Sequence, residues 1–229
     1  MLLGEEALAR LAAARVAVVG VGGVGAMAAE MLARAGVGHL TLIDADTVSE
    51  TNLNRQLPAL HSTLGAPKCR VLGARLQDIN PALELRLYEE YLTDDFTVVG
   101  TPDFVVDAID TLGPKVGLIL YCLRNGIPLV SSMGSGAKLD ATRVRLDDIG
   151  KTCYCPLARM IRKKLHKLGV RDGFLAVYSP EFPDKEGMVL EESRNKKSQV
   201  GTVSWLPAVF GCVCAQAAVC HIAGIHDVG

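Results

Sequence analysis

The chain lacks an excess of charge of either sign and any recognisable secretion signal. Lysine and arginine number 24 against 25 aspartate and glutamate residues, a balance that does not exclude a local basic face. The acidic pair Glu5-Glu6 follows the start directly, without the basic and apolar regions of a signal peptide. We therefore expect a cytoplasmic protein. Its 229 residues, 49% of them hydrophobic, suffice for one globular domain.

Cysteine pairs of the C-x-x-C type are also missing. The seven cysteines include two C-x-C pairs, Cys153 with Cys155 and Cys212 with Cys214. Zinc sites usually separate their ligands by two or more residues, so we expect no zinc site. An odd number of cysteines without a secretion signal favours reduced thiols.

Residues 15–46, RVAVVGVGGVGAMAAEMLARAGVGHLTLIDAD, carry the clearest pattern in the chain. A β-branched run at residues 16–19 predicts a buried strand of a parallel sheet, and residues 26–35 and 39–43 predict a helix and a second strand. Between the first strand and the helix lies a glycine-rich turn, whose glycines are Gly20, Gly22, Gly23 and Gly25.

This strand–turn–helix–strand unit predicts a nucleotide site. Glycines let the backbone approach a ligand, and the N–H groups at the helix start favour phosphate. Asp44, at the end of the second strand, is placed to accept hydrogen bonds from ribose hydroxyls. The alternative is a glycine-rich turn with a structural role alone.

The remaining elements predict a single α/β domain. Further strands are expected at residues 83–88, 103–109 and 127–131, and further helices at residues 2–14, 67–79 and 114–124. Alternating strands and helices predict a Rossmann-like doubly wound sheet, mostly parallel, with helices on both faces. The nucleotide-binding core covers about residues 15–132.

Beyond this core the chain changes character. Residues 147–200 are basic and rich in proline and glycine, which predicts a mobile insert, and a strand at residues 200–205 and a helix at residues 207–222 follow. Residues 203–225 carry no charge, which is long enough for a membrane span. Pro207, Gln216 and His221 favour a helix buried against the sheet instead.

Polar side chains follow the predicted strands at the end where open α/β sheets bind ligands. After Asp44 these are Asp46, Asn52, Asn54, Arg55, Gln56, Lys68 and Asp110. Arg55 and Lys68 suit a triphosphate attacked at its α-phosphate, because the leaving pyrophosphate gains negative charge. Asp110 is placed to hold Mg²⁺, which prefers one or two carboxylates together with phosphate oxygens. Each residue taken alone is equally consistent with a surface charge.

The motifs GVGGVG, LIDADTVSETNLNRQ, GAPK and VVDAID resemble the adenylating domain of the E1-like superfamily (ThiF/MoeB/HesA). The resemblance covers about residues 20–132 and implies ATP in the glycine turn, with Asp44 on its ribose. It places Asn52, Arg55, Gln56 and Lys68 around the phosphates and makes Asp110 the Mg²⁺ ligand, so that Arg55, Lys68 and Asp110 are the expected catalytic residues. It also implies one adenylating domain over residues 1–229 and a homodimer.

Three longer stretches are similar to a narrower group, the tRNA threonylcarbamoyladenosine dehydratases. They are NLNRQLPALHSTLGAPK, DAIDTLGPKVGLILYCLRNGIPLVSSMGSGAKLD and GTVSWLPAVFG. This resemblance implies that the carboxylate of a modified adenosine in tRNA attacks ATP to form an acyl-adenylate. Ring closure within the substrate then expels AMP, so no protein nucleophile is required.

The same resemblance makes the basic insert a candidate tRNA-binding surface. Its cations are Arg159, Arg162, Lys163, Lys164, Lys167 and Arg171, followed by Arg194, Lys196 and Lys197. Phosphate contacts from these groups would weaken with salt. Tyr154 and Tyr178 are candidates for stacking on a base. The simpler interpretations are a solvated helix face and ordinary packing.

Three alternative functions are compatible with the sequence. An activator of a sulfur-carrier or ubiquitin-like protein would use the same ATP site, but such enzymes typically have asparagine where this chain has Thr111 and carry C-x-x-C zinc pairs. A non-catalytic protein that binds ATP and tRNA is the second alternative, and an NAD-dependent oxidoreductase is the third.

A cysteine desulfurase is a possible partner, with Cys153 and Cys155 as the accessible thiols. E1-like dimers also use an arginine near the N-terminus, and the first arginine here is Arg10.

Overall fold

The computed structural model describes residues 2–92, 96–184, 188–189 and 199–225. The strands in this part are β1 (Arg15–Val19), β2 (His39–Ile43), β3 (Glu84–Tyr88), β4 (Phe104–Asp107), β5 (Leu129–Ser132), β6 (Arg145–Asp148), β7 (Leu175–Tyr178), β8 (Met188–Val189) and β9 (Gln199–Val200). The helices are α1 (Gly4–Ala13), α2 (Gly23–Arg34), α3 (Lys68–Ile79), α4 (Leu112–Arg124), α5 (Pro156–His166) and α6 (Trp205–Ala223).

Strands β1 to β7 form one sheet in the order β3-β2-β1-β4-β5-β7-β6. All neighbours in it run parallel except β6, which is antiparallel to β7. The strand order reverses at β1, between β2 and β4, and ligands bind at such a point beyond the carboxyl ends of the strands. We call the side of the sheet where the parallel strands end the carboxyl edge.

Alternate residues of the strands pack on opposite faces of the sheet, as the period of two in a strand requires. In β1, Val16 and Val18 lie in a core shared with α1, α2, α3 and α6. Ala17 and Val19 lie in a second core with α4 and α5. The predicted mostly parallel sheet with helices on both faces is therefore confirmed.

The last helix, α6, packs closely against α2. A Cβ atom added at Gly211 would lie 2.4 Å from the carbonyl oxygen of Val24 and 2.7 Å from the Cβ of Met27. Leu206, Phe210 and other residues of α6 are fully buried in the core next to α2. Within the described ranges, α6 is the one helix that is long and apolar enough to span a membrane, and half of it is buried inside the fold.

Two expectations about the second half of the chain are corrected. The expected excursion after residue 170 contains β7, which lies buried between β5 and β6. Because β7 has only four residues, its hydrophobic run is too short to be recognised among the charged residues around it. The strand expected at residues 200–205 is wrong, because only Val200 of these is in a strand and α6 already begins at Trp205. Pro207 lies in the first turn of α6, where its missing N–H leaves no bond unmade.

The close approach of α2 and α6 gives the first testable prediction. Gly211→Val should lower the free energy of unfolding by about 2 kcal/mol, because the added atoms overlap the backbone of α2. Chemical denaturation monitored by circular dichroism measures this change. Gly113→Ala in α4 is the control, since a Cβ there meets nothing within 4 Å. Equal stability of the two variants would contradict the predicted overlap.

Candidate nucleotide site

The glycine turn between β1 and α2 is closed by contacts between backbone atoms. A Cβ added at Gly25 would lie 1.8 Å from the carbonyl oxygen of Gly20, and one added at Gly20 would lie 2.8 Å from that of Ala108. Gly20 also has a φ of +85°, which L side chains rarely adopt. Helix α2 begins at Gly23, three residues earlier than predicted, so its first N–H groups belong to the turn itself. The turn thus presents bare backbone to a ligand.

Asp44 follows β2 and lies beside this turn. Its Oδ2 accepts a hydrogen bond from the Val21 N–H at 2.7 Å, and its Oδ1 accepts one from the Asp46 N–H at 2.8 Å. Burial raises the pKa of Asp44, and these N–H groups and the charge of Lys68 act in the opposite direction. Each carboxylate oxygen can accept a second bond, so the predicted role on a ribose is compatible with the fold.

Lys68 begins α3 and is almost fully buried. Its Nζ forms an ion pair with the Oδ2 of Asp46 at 2.8 Å. The Tyr91 hydroxyl, which the sequence analysis missed, donates to the other oxygen of Asp46 at 3.1 Å, and the Asp46 charge raises the pKa of Tyr91. The ammonium group is therefore held at the carboxyl edge by a partly exposed partner that phosphate oxygens can replace or share.

The polar loop after β2 brings the predicted phosphate ligands against the glycine turn. Asn52 is buried, and its Oδ1 accepts the Ser49 N–H at 3.1 Å. Arg55 is half-buried, and its Nη1 donates to the Thr51 carbonyl oxygen at 2.8 Å. A Cβ added at Gly23 would lie 3.3 Å from the Arg55 carbonyl oxygen, so the loop and the turn are in contact.

Gln56 supplies the observation that most directly fits a bound nucleotide. Its Nε2 lies 3.5 Å from the position that a Cβ at Gly22 would occupy. Its Oε1 is buried and has no hydrogen-bond partner among the described residues. A buried acceptor of this kind requires a donor, which a ligand hydroxyl or a water molecule in the turn supplies. The residues present therefore fit ATP.

Asp110 lies at the carboxyl edge three residues beyond the end of β4, and it is exposed. A buried cluster that the sequence analysis missed lies directly beneath it. Asp107 and Lys115 are fully buried and form an ion pair at 2.9 Å, and the Ser131 hydroxyl donates to the same Asp107 oxygen at 2.6 Å. The sequence shows these only as one more aspartate in VVDAID and one lysine in a helix.

This cluster holds the backbone that leads to Asp110. The Nζ of Lys115 donates to the Ile109 carbonyl oxygen at 3.0 Å, and the Oδ1 of Asp107 accepts the Ile109 N–H at 3.1 Å. The Ala108 N–H donates to the Val19 carbonyl oxygen at 2.8 Å. The buried Asp107–Lys115 ion pair thus holds both the backbone that leads to Asp110 and the backbone of Ala108, which lies against Gly20 of the glycine turn.

The cations expected to face tRNA fall into three groups. Five of them are exposed on α5 and just after it, namely Arg159, Lys163, Lys164, Lys167 and Arg171. Arg162 is half-buried and donates to the Thr152 carbonyl oxygen at 2.7 Å, so it fastens α5 to the segment before it. Arg194, Lys196 and Lys197 lie outside the described residues.

The tyrosines expected to stack on a base, and the cysteines expected to be accessible, also differ in how deeply they are buried. Tyr178 is 2% exposed and its hydroxyl donates to the Oδ2 of Asp147, so it cannot stack on a base. Tyr154 is exposed. Cys155 is buried, which contradicts its expected accessibility, whereas Cys153 is half-buried. Among the described residues, no group of three or more His, Cys, Asp or Glu side chains could hold a metal ion.

Arg10 lies far from the nucleotide site. Its Nη2 donates to the Ala223 carbonyl oxygen at 2.5 Å, and its side chain lines an open cleft of about 510 Å³ with Arg15 and Asp103. Arg15 begins β1 and Asp103 precedes β4, so this cleft is at the opposite edge of the sheet from the glycine turn.

Comparison with known sequences identifies the family. Residues 1–228 match the ThiF family. The chain belongs to this family. The match extends across both the nucleotide site and the basic helix α5, so a ThiF-family fold accounts for the whole chain and not for its core alone.

Individual relatives are similar over most of their length. The tRNA threonylcarbamoyladenosine dehydratase of Bacillus subtilis is 46% identical over 80% of this chain and 73% of its own. That of Escherichia coli is 37% identical over 95% of this chain and 89% of its own. The crystal structure of the Escherichia coli enzyme in complex with ATP has a TM-score of 0.88, with 38% identity, covering 97% of this chain and 91% of that one.

The buried ion pair gives the second prediction. Lys115→Met should lower the free energy of unfolding by about 3–5 kcal/mol, because it leaves the Asp107 carboxylate buried without its cation. For a domain of this size the thermal midpoint should fall by on the order of 10 °C.

The matched control is Lys163→Met on the exposed face of α5, which should change stability by less than about 0.5 kcal/mol. Scanning calorimetry of both variants compares the same substitution in the two environments. A Lys115→Met protein as stable as Lys163→Met would show that the pair does not hold this part of the fold.

Proposed function

We propose that this chain is an ATP-dependent tRNA threonylcarbamoyladenosine dehydratase. Two observations together carry the proposal. One edge of the sheet holds a complete glycine turn together with Asp44, Arg55, Lys68 and Asp110. The chain is also similar over nearly its full length to enzymes of that name. The substrate is tRNA whose modified adenosine bears a threonylcarbamoyl group with a free carboxylate.

The first step makes the carboxylate reactive. A carboxylate oxygen attacks the α-phosphorus of ATP, the bond from that phosphorus to the bridging oxygen breaks, and pyrophosphate leaves. The N–H groups at the start of α2 would hold the phosphates of ATP, and the charges of Arg55 and Lys68 would stabilise the leaving pyrophosphate. As the Lys68 ammonium group contacts phosphate oxygens, its ion pair with Asp46 would weaken.

The second step takes place within the substrate. An oxygen or nitrogen atom of the ureido group attacks the activated carbonyl carbon, closes a five-membered ring and expels AMP, and one N–H proton of the ureido group goes to solvent. Proximity within one molecule supplies the rate enhancement that a protein nucleophile would otherwise provide. Burial agrees with this, since it raises the pKa of Cys69, Cys122 and Cys214 to about 12, leaving those thiols protonated.

Mg²⁺ is the cofactor that we propose for the first step. The Asp110 carboxylate is exposed at the carboxyl edge and is an oxygen ligand of the kind that Mg²⁺ prefers. When bound, the ion would neutralise charge on the phosphate oxygens. Lys115 and Asp107 serve this role indirectly by fixing the backbone before Asp110.

The remaining assignments concern partners and location. The exposed cations of α5 are proposed to contact tRNA phosphates. A homodimer is proposed because α6 has no charged residue and leaves Val209 and Val213 partly exposed and Cys212 exposed. With Cys212 in the proposed dimer contact, the half-buried Cys153 is the thiol that a sulfur-transferring partner would reach. A cytoplasmic location would keep these thiols reduced.

Mass spectrometry of nucleosides tests the reaction and the site together. Threonylcarbamoyl-modified tRNA incubated with this protein and Mg-ATP should lose one water from the modified adenosine. Arg55→Ala and Asp110→Ala should each lower the rate by about 10²–10³-fold, because each removes a group acting on the phosphates. Removal of Mg²⁺ with EDTA should abolish the reaction, and added Mg²⁺ should restore it.

Arg124→Ala, at the far end of α4, and Asp172→Ala, before β7, are the matched controls and should keep full activity. AMP formation stimulated by a carrier protein but not by modified tRNA would favour the sulfur-carrier activator instead. Binding of tRNA and ATP without any AMP release would favour a non-catalytic protein. Stabilisation by NAD but not by ATP would favour an oxidoreductase.

Cysteine variants test whether a protein nucleophile takes part. Cys153→Ser and Cys155→Ser should keep the dehydration rate within about twofold, because ring closure needs no thiol. The rate is followed by the same nucleoside assay, with the thermal midpoint recorded since Cys155 is buried. A large loss of rate in a variant of unchanged stability and unchanged tRNA binding would contradict a mechanism without a protein nucleophile.

A further inference from the structure

An exposed pair of aromatic rings lies at the carboxyl edge of the sheet, outside the nucleotide site. The ring centroids of Tyr154 and Phe182 are 4.2 Å apart, and the two side chains are 55% and 69% exposed. Tyr154 has a φ of +52°, a left-handed conformation that bulky residues rarely adopt. The fold thus keeps a large aromatic side chain in water at a position that glycine or asparagine would occupy with less strain, and such outliers concentrate at functional sites.

The pair lies on the same edge as the glycine turn. Phe182 comes four residues after the end of β7, which is parallel to β5 and, through it, to β4. Cys155, next to Tyr154, has its Sγ 3.5 Å from the Cβ position of Gly134, two residues past the end of β5. The rings therefore stand beyond β5 and β7, and ATP would lie beyond β1 and β4.

Hydrogen bonds connect the backbone around the pair to the nucleotide loop. The Asp184 N–H donates to the Ala137 carbonyl oxygen, and the Ala137 N–H donates to that of Gly201, both at 2.8 Å. The Nδ2 of Asn54 donates to the Thr202 carbonyl oxygen at 2.8 Å, and Asn54 precedes Arg55. The position of Phe182 is thus tied to the loop that carries a proposed phosphate ligand.

The segment that carries Phe182 is itself held in place. Both carboxylate oxygens of Glu181 accept backbone N–H groups, those of Leu139 and Asp140, at 2.9 Å each. The Nζ of the buried Lys138 donates to the Ser179 carbonyl oxygen at 2.6 Å. A platform that is already ordered loses little conformational entropy when a flat ligand is placed on it.

The charges around the pair favour a polyanion. Helix α5 begins two residues after Tyr154, contains no acidic residue and exposes Arg159, Lys163 and Lys164. The acids beside Phe182 are Glu181, which accepts the two backbone N–H groups, and Asp184. Aromatic side chains next to a row of cations are the elements with which proteins bind unpaired nucleotides, because bases stack on the rings while the cations contact phosphates.

We propose that Tyr154 and Phe182 form a stacking platform for an unpaired base of the tRNA substrate, next to the basic face of α5. This inference rests on the proposed function and adds the element that positions the nucleoside. A base stacked beyond β5 and β7 places the strand along the carboxyl edge, so that the threonylcarbamoyl carboxylate can reach towards the ATP at β1 and β4.

Binding of modified tRNA to the full chain, with ATP titrated separately, tests the platform. Tyr154→Ala and Phe182→Ala should each weaken tRNA binding, and raise the KM for tRNA, by about 10–100-fold. ATP affinity should be unchanged. Tyr154→Phe and Phe182→Tyr keep a ring and should bind tRNA as the unchanged chain does. Leu168→Ala removes an equally exposed side chain that has no ring, and should have no effect.

Salt dependence separates stacking from charge. Lys163→Ala should reduce the slope of log Kd against log salt by about 0.7–0.9, whereas the two alanine variants of the aromatic pair should leave the slope unchanged. If the unchanged chain binds and dehydrates tRNA while both alanine variants bind it equally well, the platform is overturned and the proposed function stands. If the unchanged chain binds no tRNA, the proposed function and the platform fail together.

Discussion

The contact between backbone atoms in the glycine turn is the constraint on which the rest of the structure depends. Gly25 approaches Gly20 so closely that no Cβ fits between them, and this proximity brings the start of α2 onto the end of β1. With α2 in this position, α6 packs closely against it at Gly211. A substitution at these positions would therefore affect the N–H groups at the start of α2 and the main core together, so glycine is required for packing as well as for the proposed ligand.

The sequence was informative where a local pattern determines the outcome. Four glycines at fixed spacing after a buried strand predict the turn, and the end of the next strand predicts Asp44, since both depend on a few consecutive residues. The Asp107–Lys115–Ser131 cluster depends on three elements that meet only in the folded sheet. In the sequence, a lysine within a helix predicts a solvent-exposed side chain. Only the structure, in which the whole side chain of Lys115 is buried, distinguishes Lys115 from Lys163.

The same limitation explains the errors at the other end of the chain. Strand β7 is short, and its identity comes from pairing with β5 and β6 rather than from its own composition. The predicted start of α6 at residue 207 is two residues late, because a proline is tolerated throughout the first turn of a helix and does not mark its first residue. Tyr154 and Tyr178 look alike in the sequence, yet one is exposed beside α5 and the other is buried against Asp147.

The two halves of the carboxyl edge are built by different physical means, which bears on how the chemistry is divided between them. Around ATP the geometry comes from backbone contacts and a buried ion pair, which leave little freedom for variation. Beyond β5 and β7 it comes from exposed side chains on a braced loop and on α5. In the proposed function, activation of a carboxylate by ATP needs the first arrangement regardless of the acid, whereas the proposed platform and the cations of α5 would select the acid. Substitutions of Tyr154, Phe182 and the α5 cations should therefore act mainly on which carboxylate is presented, because the hydrogen bonds that join the two halves, from the Asp184 N–H to the Ala137 carbonyl oxygen and from Asn54 Nδ2 to the Thr202 carbonyl oxygen, do not involve those side chains.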